Sequence, residues 1–140
     1  MKRFFLFMIA CCFFAAQGFG QDSSNENQNA PVITFEETEH NFGKIQLNGV
    51  AEYEFTFVNT GKEPLIIQSC QSTCGCTVPA CPDKKPILPG EKGSIKVKYT
   101  TTHVAGPFDR YFNVISNAKN SMVRVTIKGE IAENTQTVSK

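Results

Sequence analysis

None of the familiar catalytic signatures occurs in these 140 residues. There is no G-x-S-x-G nucleophile elbow, no H-E-x-x-H zinc helix and no glycine-rich loop to cradle phosphate. The hydrolase, metalloprotease and nucleotide-binding chemistries that depend on those arrangements therefore have no visible basis. A charge surplus is missing too, with fourteen Lys and Arg against thirteen Asp and Glu. Nucleic-acid binders and polybasic membrane-surface proteins need concentrated positive charge, so both classes are disfavoured. No amphipathic helix separates the apolar segments, which argues against an α/β fold, and no internal repeat is present. Nor is there a long apolar run. The stretch from Phe4 to Ala16 would rise only about 20 Å as a helix, short of a bilayer core of about 30 Å.

That stretch, preceded by Lys2 and Arg3, has the form of a secretory signal peptide over residues 1–20. Small residues at Gly18 and Gly20 suit cleavage between Gly20 and Gln21, which leaves no transmembrane segment in the mature chain. A rival reading takes Met8-Ile9-Ala10-Cys11 as a loose lipobox, with the protein lipid-anchored at Cys11. The apolar run after Cys11 weighs against it, because lipoprotein linkers turn polar at once. Without Lys2 and Arg3 the basic and acidic residues stand at twelve and thirteen, close to neutral.

Residues 21–30 carry almost no apolar side chain and read as a flexible polar leader, since such a segment cannot offset the entropy of ordering it. Residues 132–140 form a similar tail. Between them, residues 31–131 provide roughly 100 residues, enough for one apolar core and not two. Short alternating runs fill this region. Tyr53, Phe55 and Phe57 share one face of a strand over Val50–Val58, opposite Glu52, Glu54 and Thr56. Ile95, Val97 and Tyr99 alternate with Lys96 and Lys98, and Val123, Val125 and Ile127 with Arg124, Thr126 and Lys128. Asn59-Thr60-Gly61, Pro89-Gly90-Glu91 and Asn117-Ala118-Lys119-Asn120 mark turns. A strand at His40–Ile45 is broken by Gly43. About seven strands at spacings near ten residues predict an all-β, immunoglobulin-like antiparallel sandwich.

Chemistry concentrates in the cysteines. Of six, Cys11 and Cys12 fall in the signal segment; Cys70, Cys74, Cys76 and Cys81 crowd into a dozen residues. An even number in an exported chain points to disulfides. Three connectivities are open; pairing Cys74 with Cys76 would close a very small ring. Alternatively, Cys74 and Cys76 could serve as thiol ligands to a metal, or as a dithiol exchange pair. The cluster is too compact for the usual zinc spacing, and an exchange pair needs a nearby cation or helix N-terminus, for which Lys84 and Lys85 are weak support. His40 and His103 read as surface or loop residues. Glu36, Glu37 and Glu39 read as a solvated strand end, and Glu52 and Glu54 are placed to meet Lys96 and Lys98 across strands.

Several motifs occur together in order: Phe42-Gly43-Lys44-Ile45, Phe57-Val58-Asn59-Thr60-Gly61, Pro64-Leu65-Ile66-Ile67, Cys74-Gly75-Cys76-Thr77, Pro86-Ile87-Leu88-Pro89-Gly90-Glu91, Gly106-Pro107-Phe108, Ser116-Asn117-Ala118 and Lys128-Gly129. In this the chain resembles the bacterial domain of unknown function 1573, found in exported proteins. The resemblance spans Val32 to Ile131. It implies an immunoglobulin-like sandwich related to hydin-type and major-sperm-protein-type domains, with no established reaction, substrate or cofactor. The family's Cys-Gly-Cys maps to Cys74 and Cys76; Cys70 and Cys81 are additions, which favours disulfides here. The expected function is a non-catalytic exported binding or scaffolding module in the periplasm or outside the cell. Its partner would be a protein or other envelope component, not nucleic acid, met through a long loop from Ser69 to Pro89.

Overall fold

The computed structural model describes residues 27–101 and 104–133. The signal segment with its Gly20/Gln21 cleavage position, Cys11, His103 and the chain from Asn134 onward lie outside these residues. Among the described residues eight strands follow one another: β1 (Ile33–Phe35), β2 (Glu39–Gln46), β3 (Val50–Asn59), β4 (Ile67–Ser72), β5 (Thr77–Ala80), β6 (Lys92–Thr100), β7 (Gly106–Ser116) and β8 (Met122–Ala132). They form two four-stranded sheets, ordered β1-β3-β6-β5 and β2-β8-β7-β4. The expected count of about seven rises to eight because the cysteine segment contributes β5, paired with β6 from Thr77↔Tyr99 to Ala80↔Lys96.

Pairing is antiparallel except where β2 runs parallel to β8. The cause is a change of sheet. After β1 pairs with β3, residues 36–38 carry the chain across the sandwich, bonding first to Thr56 (Glu36 N–H to its carbonyl, 3.0 Å) and then to Thr126 (its N–H to the Thr38 carbonyl, 2.8 Å). β2 therefore arrives beside the last strand.

Alternation places the core. Phe55, Phe57, Ile95 and Val97 of one sheet face Phe112, Val114, Val125 and Ile127 of the other, all at most 1% exposed. Burial of each such side chain is worth about 1.5–3 kcal/mol. On the outer face Glu52 stands opposite Lys98 and Glu54 opposite Lys96; these exposed pairs contribute little, because water and salt screen them.

Among the described residues, Asn59 is the largest polar side chain fully enclosed with this core. Its amide donates to the carbonyls of Glu63 (2.8 Å) and Ile87 (3.0 Å), and its oxygen accepts from the N–H of Gly61 (3.0 Å) and Val32 (3.4 Å). One side chain thus ties the residue before β1 to two connections. The turn glycines act for different reasons. Gly90 sits at φ 83° after Pro89, the third residue of a turn closed by Glu91 N–H to the Leu88 carbonyl at 3.0 Å; that is a type II turn, which calls for glycine there. Gly61 instead has no room for a side chain, since a Cβ would lie 2.5 Å from backbone atoms of Ala30, Pro31 and Val32.

Within the described residues, hydrogen bonds are made ahead of residue 31. Asn27 forms a turn with Ala30 (3.1 Å), and Lys62 N–H donates to the Asn29 carbonyl at 3.3 Å; Asn27 Nδ2 reaches Glu63 Oε1 at 3.1 Å. Polar side chains that cannot join a core can still be held through backbone groups. At the other boundary β8 continues to Ala132.

All four sheet edges are blunted. β1 has three residues, and β5 has four, Pro79 among them. The β2 ladder shifts between Asn41 and Lys44, around Gly43, and the β4 ladder shifts between Ile67 and Ser69. Short, irregular or proline-bearing edges resist addition of a further strand.

Candidate functional site

The expected loop from Ser69 to Pro89 is not one surface. Ser69–Ser72 belongs to β4 and Thr77–Ala80 to β5. These strands edge different sheets, so the segment splits into a turn at Thr73–Cys76 and a connection at Cys81–Pro89 on the opposite end. Sequence reasoning missed this because Thr77-Val78-Pro79-Ala80 is short and contains proline, which reads as loop until a partner strand is known.

The cysteines divide accordingly. Cys70, in β4, is joined to Cys81, just beyond β5, with Cα atoms 5.7 Å apart. This bond fastens the edge of one sheet to the edge of the other, and Cys70 packs against the core. Cys74 and Cys76 are joined across Gly75 at the tip of the turn, Cα atoms 5.4 Å apart. Two pairs fit an oxidising environment. With the sulfurs bonded to one another they are not free as metal ligands, and among the described residues no three His, Cys, Asp or Glu side chains converge as a metal site needs.

The tip is built by short bonds. The Ser72 hydroxyl donates to the Cys74 carbonyl at 2.8 Å and accepts from the Cys74 N–H at 3.3 Å. Thr77 N–H donates to the same carbonyl at 3.3 Å, and Thr100 N–H to the Cys76 carbonyl at 3.0 Å. The Thr73 hydroxyl reaches the Tyr111 carbonyl at 3.3 Å. Thr77 itself is buried, 1% exposed, and its hydroxyl lies 3.5 Å from Cys74 Sγ. Lys84 and Lys85 lie beyond Cys81, away from this tip, and Lys85 pairs with Asp83 at 3.9 Å.

The same end of the sandwich carries the β2–β3 turn, pinned by the buried Thr101 hydroxyl to the Gln46 and Gly49 carbonyls at 3.0 Å each. Of the five large apolar side chains exposed among the described residues, three lie toward this end, while Leu88 and Met122 lie at the other. Val50 is 55% exposed and opposes Thr100; Val78, also 55%, is the second residue of β5; Val104, 73%, precedes β7.

His40 is half-buried in a strand, its side chain 25% exposed. It lies on β2 opposite the buried Ile127, points inward and stacks on Tyr53 with centroids 3.4 Å apart. Its Nδ1 is 3.5 Å from Glu37 Oε1. Hydrogen bonding to that carboxylate, with partial burial and the negative charges of Glu37 and Glu36, raises the ionisation of Tyr53 above the ordinary tyrosine value. No sequence signal marks this group, because it exists only through the β2–β8 register. The remaining acidic residues disperse, Glu36 to Lys92 at 2.8 Å and Glu39 to Lys128.

Fold and site together define an immunoglobulin-like β-sandwich, its cysteines at one seam and one tip. The chain belongs to the family described as protein of unknown function (DUF1573), which it matches over residues 33–131. No curated protein matches it. A Porphyromonas gingivalis protein of unknown function is similar at TM-score 0.63 and 16% identity over 74% of this chain, which spans about half (48%) of that one. The PapD-like domain 7 of human CEP192 is similar at TM-score 0.60 and 8% identity, covering 86% of this chain and 97% of that domain. The Vibrio cholerae protease VesB matches at TM-score 0.55 and 17% identity over 76% of this chain, but only 32% of its own. Such identities speak to the fold alone. Among the described residues, no helix is long and apolar enough to cross a membrane.

Proposed function

We propose that this chain is a non-catalytic binding or scaffolding module of the bacterial cell envelope, exported by residues 1–20 and working in the periplasm or outside the cell. Its partner is a protein or other envelope component. The contact surface is the end of the sandwich formed by the β2–β3 turn, the Thr73–Cys76 turn and Val104. One observation carries the reading: three large apolar side chains, Val50, Val78 and Val104, stand exposed beside a turn tied down by a disulfide and five hydrogen bonds. Exposed apolar groups on a rigid tip favour association because little ordering entropy is lost on contact. The blunted edges direct recognition to this end rather than to strand addition.

The test compares the natural chain with Val50→Glu and Val104→Glu as immobilised baits against envelope extract from the source cells. A component retained by the natural chain and lost from both variants, with their thermal stability unchanged, is the expected result. Retention by the variants overturns the surface assignment. A mature mass starting at Gln21 in the exported fraction is expected; an unprocessed chain in the cytoplasm overturns the placement.

A further inference from the structure

The two cysteine pairs differ in what they join, although each has one member, Cys70 and Cys76, packed against the core. Cys70–Cys81 joins two sheets and packs on the core; opening it would release a seam. Cys74–Cys76 spans a single glycine within one turn that backbone bonds also hold, so opening it separates no two sheets. Thr77 supplies the second difference. A disulfide sulfur bears no hydrogen, so in the 3.5 Å contact the hydroxyl is the donor and Cys74 Sγ the acceptor. Among the described residues, that sulfur is the partner found for this buried hydroxyl. A donor fixed beside one sulfur favours the charged form of that sulfur over its neighbour.

We infer that Cys74–Cys76 is a thiol-exchange disulfide, with Cys76 the sulfur attacked, Cys74 the leaving thiolate and Thr77 the residue that positions a proton for it. The reactant is a dithiol of the same compartment. One of its thiolates attacks Cys76 Sγ; the Cys74–Cys76 bond breaks and its electron pair goes to Cys74, which receives the Thr77 hydrogen bond. The reactant's second thiolate then attacks the mixed disulfide, displacing Cys76 as thiolate. The reactant leaves oxidised to a disulfide, and its two protons are recovered by Cys74 and Cys76. Attack favours the sulfur whose departing partner is the better leaving group. This function is additional to the binding reading, which stands on the valines and survives its failure.

The oxidised chain is incubated in graded dithiothreitol and glutathione buffers, quenched by acid and alkylation, and mapped by mass spectrometry. Cys74 and Cys76 are expected to be alkylated under conditions that leave Cys70 and Cys81 joined, with the transient glutathione adduct on Cys76. Thr77→Val is expected to slow opening about tenfold, the worth of one hydrogen bond to a charged group, and Thr77→Ser to restore it. Simultaneous opening of both pairs, an adduct on Cys74, or an unchanged rate in Thr77→Val would overturn the assignment. Should Thr77→Val not fold, the buffer series and adduct position on the natural chain decide it.

Discussion

Removing each disulfide in turn should separate their mechanical roles. Cross-linking stabilises by withholding loop entropy from the unfolded chain, and the effect grows with the length of the loop closed. Cys70 and Cys81 are eleven positions apart, which corresponds to about 3 kcal/mol at 25 °C. Cys74 and Cys76 are two apart, which corresponds to about 1.5 kcal/mol. The structure widens the gap, since Cys70–Cys81 joins the edges of two sheets whereas Cys74–Cys76 lies within one turn that hydrogen bonds also hold. Cys70→Ala/Cys81→Ala should therefore lose at least twice the stability of Cys74→Ala/Cys76→Ala. For a domain of this size that is a fall in Tm of about 12–24 °C against about 6–12 °C. Urea unfolding followed by circular dichroism at constant m-value measures both. Equal losses, or a larger loss from the Cys74/Cys76 pair, would refute the division into seam and tip.

Asn59→Ala should cost about 4 kcal/mol, about one for each of four hydrogen bonds; a urea-derived loss under 1 kcal/mol would show that water replaces them. Gly61→Ala should cost about 1–3 kcal/mol, the usual range for overpacking, because the new methyl meets backbone rather than a movable side chain; differential scanning calorimetry reads it. Ultraviolet titration should find one tyrosine ionising above the ordinary range, and Glu37→Gln should return it there. The raised folded value means the folded state keeps a proton that the unfolded state has released, so stability should be complete below the ordinary tyrosine pKa of about 10 and decline as pH rises past it. A tyrosine titration unaltered by Glu37→Gln would refute the assignment.

Alternating runs were legible because side chains in a strand take opposite faces, so Phe55, Phe57, Ile95, Val97, Val125 and Ile127 declared both their strands and their burial. The cross-strand meeting of Glu52 and Glu54 with Lys98 and Lys96 followed from the same periodicity. Family membership was legible in the ordered motifs. The β5 strand was hidden by Pro79 and by its length of four residues. His40 was misread since an isolated polar residue carries no period, and the parallel β2–β8 register turns it inward. Gly61 was legible as a turn residue, but only the structure shows that close backbone approach, not a left-handed φ, requires glycine there.

The amino-acid order alone determined an all-β sandwich, its apolar faces and most of its turns, because those follow from local periodicity and backbone preference. Only the tertiary structure decided which cysteines meet, that the Ser69–Pro89 segment divides between opposite ends, and that Thr77 faces Cys74 while His40 faces Tyr53. Those relations depend on which strand lies beside which, and pairing between distant strands is set by the packing of the whole core, which no window of sequence contains.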